Sequence, residues 1–122
     1  MDDKVYRRLA RDHLSQSWLA ARLGLQPVQV DLMRRAGELI GTRPSGLQEH
    51  LYPAWQFDPE GKPLGAIRRV VSAAREAGID DERLIQMLNM RIGLGGQERL
   101  LDAVREGREE YVLGVIKSAR SG

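Results

Sequence analysis

The sequence predicts a mainly α-helical protein with one short β-hairpin, and three observations predict it. Apolar residues recur at helical spacing along most of the chain, and the segments that carry them end at glycines such as Gly24, Gly37, Gly78 and Gly107. One stretch, residues 38–57, is instead rich in β-branched and aromatic side chains around a Pro-Ser-Gly turn. Residues 58–63, Asp-Pro-Glu-Gly-Lys-Pro, are turn chemistry. They mark the expected boundary between an N-terminal module, 1–57, and a C-terminal helical module, 58–122.

Taken in order, the first amphipathic segment spans about Asp3 to His13, with Val5, Tyr6, Leu9 and Ala10 on one face and Arg7, Arg8 and Arg11 on the other. Ser15 is a good N-cap for a second helix whose apolar side is Trp18, Leu19, Ala20 and Leu23. Gly24 stops it. Pro27 suits the first turn of a third helix that runs to about Ala36. The two runs 38–43 and 50–57 then read as a β-hairpin turning at Pro44-Ser45-Gly46, with Pro53 holding the second run to an edge position. Beyond the connector, Ile67, Val70, Val71 and Ala74 form a helical stripe. Asp80 or Asp81 opens a helix with Leu84, Ile85 and Leu88 inward, and residues 93–96 form a glycine-rich loop. Leu100, Leu101 and Val104 carry a short helix, and Val112, Val115, Ile116 and Ala119 carry the last one.

Length and composition agree with this. The chain has 122 residues, 42% hydrophobic and 30% charged, with formal net charge +2. The charge is unevenly placed: residues 4–43 hold eight basic side chains (Lys4, Arg7, Arg8, Arg11, Arg22, Arg34, Arg35, Arg43) against Asp12, Asp31 and Glu38. Residues 51–122 balance eleven against eleven. Zero cysteines exclude disulfides and thiolate metal sites. No apolar run is long enough to span a bilayer, and the acidic start lacks a signal-peptide core, so a cytoplasmic protein is expected.

Residues 16–35 hold the most informative pattern. As a helix-turn-helix they place the small Ala20 where two helices must approach and Gly24 at the turn. Leu19, Leu23, Leu25, Val30 and Met33 fall where the pair must be glued together. The third helix is then a recognition helix of about 27–36 in the major groove of double-stranded DNA. It presents Gln26, Gln29 and Asp31 early and Arg34 and Arg35 late. Gln29 is expected to read bases, since Gln pairs bidentately with adenine, while Arg34, Arg35 and Arg43 grip phosphates. Arg34 and Arg35 equally suit the negative end of the helix dipole, and both roles can hold together. Leu32 stands at a position often polar and DNA-facing; packing against the hairpin is its alternative.

The run Arg34-Arg35-Ala36-Gly37-Glu38-Leu39, passing from recognition helix straight into a strand, resembles the winged helices of excisionase and MerR-type regulators. That resemblance implies a winged helix-turn-helix, with residues 38–57 as the wing and Arg43 carried to the adjacent minor groove or backbone. A second resemblance covers residues 50–119. The strings Tyr52-Pro53-Ala54-Trp55-Gln56-Phe57-Asp58 and Gly61-Lys62-Pro63-Leu64, with Leu94-Gly95-Gly96, Leu101 and Gly107, resemble the toxin-binding domain of Xre/MbcA/ParS-type antitoxins. Gln97-Glu98-Arg99 departs from that family's Arg-Thr-Pro. The resemblance implies a small helical bundle, a homodimer, repression of the protein's own promoter, and a cognate toxin of the RES-domain type. Tyr111 and Lys117 on the last helix are the residues assigned to such a partner, while Trp55 and Phe57 are expected to seal the module junction.

An enzyme is not expected. His13 and His50 alone supply imidazole, without ligand spacing, so neither a metal site nor a cofactor is expected. The loop 93–96 lacks the preceding strand and the lysine of a phosphate-binding loop. Asp80-Asp81-Glu82 is ordinary capping chemistry. Three functional classes therefore stand: an antitoxin-type repressor, a protein-interaction module with little DNA binding, and an excisionase-like architectural factor that bends DNA.

Overall fold

The computed structural model describes residues 13–43, 46–58 and 60–119. These are mainly helical and form two compact units, 1–63 and 64–122. The division falls between Pro63 and Leu64, so the turn-rich connector belongs to the first unit. It is a built turn. The Asp58 carboxylate accepts from the Glu60 and Lys62 N–H groups at 2.9 Å each, and the Asp58 N–H donates to the Lys62 carbonyl. Phe57 then bridges to Pro63.

The first unit contains β1 (His13–Ser15), α1 (Gln16–Leu23), α2 (Pro27–Arg35) and β2 (Leu51–Pro53), followed by a 3₁₀ turn, Ala54–Gln56. The expected first helix lies outside the described residues except for its last member, His13, which opens a strand instead. Ser15 does cap α1, accepting the Trp18 N–H at 3.1 Å. Glu49, 32 residues away, accepts both the Ser17 N–H and the Ser17 hydroxyl. Two donors left unpaired by helix geometry are thus satisfied, and a carboxylate sits at the positive end of the helix dipole.

Gly24 ends α1 in the left-handed conformation, φ +70°. Its N–H and that of Leu25 return to the Ala21 and Ala20 carbonyls, a closed double cap. Nothing lies within 4 Å of a Cβ built there. Gly24→Ala is therefore expected to cost only the left-handed conformation, roughly 1–2 kcal/mol, read from the urea midpoint. A larger loss would mean that the turn carries contacts as well.

The hairpin of residues 38–57 is reduced to one bridge among the described residues, and β1 joins β2 on its other edge. Among its described residues Thr42 and Leu51 pair, through reciprocal N–H···O bonds of 2.9 and 2.7 Å. The strand that pairs fully with β2 is β1, antiparallel, with His13 opposite Pro53, Leu14 opposite Tyr52 and Ser15 opposite Leu51. Pro44 and Ser45 of the expected turn lie outside the described residues. The physical reason for the change is Gln56, completely buried in the 3₁₀ turn that follows β2. Its carboxamide oxygen accepts the Ile40 N–H at 2.8 Å, and its nitrogen donates to the Ile40 and Pro53 carbonyls at 2.7 and 3.1 Å. A side-chain amide thus stands where a neighbouring strand would have stood. Leu19, Ala20, Val30, Leu39, Tyr52 and Phe57 close this core, with Leu14, Leu23, Leu25 and Met33 packed against it. Phe57 is core of the first unit, and Trp55 is half-buried.

The second unit contains α3 (Gly65–Glu76), α4 (Asp81–Leu88), β3 (Arg91–Ile92), β4 (Glu98–Arg99), α5 (Leu100–Arg105) and α6 (Glu109–Ser118). The α3 stripe Ile67, Val70, Val71 and Ala74 is buried, as are Leu84 and Leu88 of α4 and Val112 and Ile116 of α6. Asp80 caps α4 by accepting the Arg83 N–H. Arg69 pairs with Glu109, joining α3 to α6. The loop 93–96 proves to be the tip of a two-stranded hairpin, β3 pairing antiparallel with β4, with Gly93, Gly95 and Gly96 all at positive φ. No helix among the described residues is long and apolar enough to cross a membrane.

Candidate nucleic-acid interface

Helix α2 is fixed from behind and open in front. Val30 is fully buried and Met33 packs on the core, so the opposite arc points to solvent. At about 100° per residue that arc carries Arg35, Val28, Leu32, Ala36 and Gln29, in that angular order. All five are exposed, with Val28 at 62% and Leu32 at 55%. Leu32 therefore leaves more than half of its surface to solvent. The hairpin it would have leaned on is reduced to one bridge. Trp18, assigned to the apolar side of α1, is likewise 52% exposed.

Gln26 and Gln29 are joined at the start of α2, where the Gln26 N–H donates to Gln29 Oε1 at 2.7 Å. Gln29 thus supports the helix start from within, as a capping side chain. Reading adenine bidentately requires it to exchange that bond for one to the base edge.

The three arginines separate into different roles. Arg34 is turned inward, its side chain only 19% exposed, donating to Asp31 Oδ1 at 2.6 Å and bonded to Tyr52. Tyr52 in turn donates its hydroxyl to Gln16 Oε1. Gly41 is what lets this stack close. A Cβ there would lie 2.8 Å from Arg34 Cδ and 3.0 Å from Tyr52 Cε1. Arg34 therefore braces α2 against β2, with most of its side chain withdrawn from solvent. Arg35 is outward, 68% exposed, with Nε 2.9 Å from Asp31 Oδ2. Arg43, one residue past the Thr42 bridge, is exposed. The Arg34 hydrogen bond holds the Asp31 carboxyl below the ordinary carboxylate range, and the charges of Arg34 and Arg35 add to this. The Asp31 carboxylate beside the arc is thus already matched by two guanidinium groups.

The basic excess is narrower than the 4–43 window suggests. Over the whole of 1–63, nine basic residues face eight acidic ones, and Lys4, Arg7, Arg8 and Arg11 lie outside the described residues. Within 13–43, Arg22, Arg34, Arg35 and Arg43 stand against Asp31 and Glu38.

This protein shares its fold with Rv2175c. The NMR structure of Rv2175c superposes with a TM-score of 0.75 at 18% identity, over 89% of this chain and 81% of that one. No protein-family model and no curated protein matches the chain.

In the second unit, Tyr111 is 49% exposed and Lys117 is exposed, but a separation of six positions places them about 120° apart around α6. They do not form one patch. The exposed apolar groups of this unit lie elsewhere as well, at Met90 and at Leu94, which is fully exposed on the hairpin tip. No group of three or more metal-ligating side chains occurs among the described residues. Val28 is the residue that sequence reasoning passed over. Its signal was present, since Val28 and Leu32 form an i, i+4 pair opposite Val30 and Met33, giving a nine-residue helix two apolar faces.

Proposed function

We propose that this protein binds double-stranded DNA sequence-specifically, with α2 in the major groove and the segment around Arg43 on the adjacent backbone. The outward arc of α2 carries the proposal: a helix about 13 Å long, braced from behind by Val30, Met33 and Arg34, leaves base-reading and phosphate-binding side chains unburied in front. The α1–α2 pair, closed by left-handed Gly24, supports the helix-turn-helix reading. The lone Thr42–Leu51 bridge supports a very short wing ending near Arg43. The resemblance to antitoxins extends the proposal to a repressor acting as a homodimer on a two-fold operator. A RES-type toxin partner rests on that resemblance alone. A protein-interaction role for the second unit has its own support in exposed Met90, Leu94 and Tyr111.

The test is retention of a random-sequence duplex pool by the full chain across a salt series. Affinity is expected to fall linearly on logarithmic axes. Arg35→Ala and Arg43→Ala are each expected to reduce the slope by about one. Absence of retention at low salt, or slopes unmoved by both substitutions, would overturn the reading.

A further inference from the structure

We infer that Val28 and Leu32 read thymine methyl groups, so that the preferred sites of this protein carry thymine at the steps beneath the middle of α2. The inference rests on the DNA-binding reading and narrows it to a class of base edge. Its starting point is a mismatch between place and chemistry. The centre of the outward arc, flanked by Arg35 on one side and Gln29 on the other, is occupied by two branched aliphatic side chains. They are 62% and 55% exposed in a unit whose core buries Leu19, Val30, Leu39 and Tyr52 completely. One turn apart on the same face, they form a continuous apolar strip along α2.

The occupant is set by what surrounds the strip. A protein partner with an apolar ridge would engage the strip alone and leave Arg35 and Gln29 to a solvated rim. A major groove supplies a phosphate beyond Arg35, a base edge beyond Gln29, and apolar surface between them. Only one base offers that surface: the C5-methyl of thymine projects into the major groove, where cytosine has hydrogen. The Asp31 carboxylate, held by Arg34 and Arg35, does not oppose the approach. Gln29 agrees with the assignment, because adenine, the partner of thymine, is the base whose edge a carboxamide matches.

The experiment separates this inference from the reading beneath it. Duplexes retained from the random pool at moderate salt are sequenced, and the enriched site is resynthesised with uracil in place of each thymine in turn. Uracil keeps the pairing and removes only the methyl. Wild-type protein is expected to bind threefold to fivefold less tightly for each contacted methyl lost, a factor that follows from burying one methyl-sized group. Val28→Ala and Leu32→Ala are each expected to bind the thymine duplex several-fold less tightly and to lose discrimination against uracil at one position. Both side chains are largely in solvent, so the variants keep the fold, as circular dichroism and the urea midpoint will report. Equal binding of thymine and uracil duplexes by the wild-type protein overturns the inference while DNA binding stands, and this arm needs no variant. No retention of any duplex overturns both. Discrimination that persists unchanged in both variants assigns the methyl contact to other residues and overturns the inference as well.

Discussion

Gln56→Leu is expected to destabilise the first unit by about 2–5 kcal/mol, because it strips the partners from both the N–H and the C=O of buried Ile40. Leucine has nearly the right volume, so the loss measures the hydrogen bonds and not a cavity. Both tryptophans of the chain, Trp18 and Trp55, lie in this unit, so urea unfolding followed by their fluorescence reports on it alone. A change below 1 kcal/mol would show that water replaces the carboxamide. Gln56→Glu sharpens the test through its pH dependence. The carboxylate would face the Ile40 and Pro53 carbonyls without solvent, which raises its folded pKa above the unfolded value of about 4.3. A raised carboxyl pKa makes stability fall as pH rises through the unfolded value. The Glu variant is therefore expected to recover toward wild type as pH falls to about 4, where the protonated acid can donate as the amide did.

Arg34→Ala is expected to lower the urea midpoint by an amount equivalent to roughly 1–3 kcal/mol, while leaving the salt slope of DNA binding unchanged among molecules that remain folded. The substitution removes the guanidinium that spans Asp31 and Tyr52 behind α2. Arg35, one residue on and 68% exposed, is expected to behave in the opposite way, with little change in stability and a smaller salt slope. The Arg34 effect carries a pH signature. Its hydrogen bond depresses the Asp31 pKa, so the stabilisation is present above the unfolded value of about 3.9 and is lost as pH falls through the folded one. The gap between wild type and Arg34→Ala is therefore expected to narrow below about pH 4. A salt slope that drops in Arg34→Ala would return this residue to the phosphate-binding set.

These two residues also show what could be read from the chain and what could not. Periodicity located α1, α2 and the four helices of the second unit, because each is decided by local apolar spacing and a capping residue such as Ser15, Gly24, Gly78 or Asp80. The strand partners were not local. Residues 38–43 and 50–57 have hairpin composition and keep one bridge, while His13–Ser15, with nothing strand-like in its neighbourhood, pairs along the other edge of Leu51–Pro53. Gln56 belonged visibly to a distinctive string, but its task depends on a backbone 16 residues earlier. Adjacent arginines at a helix end look alike in sequence. A rotation of about 100° is what turns Arg34 to the core and Arg35 to solvent. The exposed Val28–Leu32 strip was legible in principle from its spacing, and became informative only once Val30 and Met33 showed which face was buried.

The pairing of Ser15 with Leu51 has a consequence for how the first unit assembles. The α1–α2 pair lies wholly inside the segment that this pairing closes. Its helices and their turn are made of contacts a few residues apart, which form quickly and without bringing distant ends together. The clasp of β1 on β2 must instead join positions 36 residues apart, at a loop-closure cost of about 3 kcal/mol before any strand bond is made. The order of events follows from that asymmetry. The helical pair can gather first, and the clasp then locks it, burying Tyr52 and bringing its hydroxyl to Gln16 at the start of α1. The surface argued to meet DNA is thus built from the local contacts of this unit, and the strands act as the latch that supplies the rest of its core.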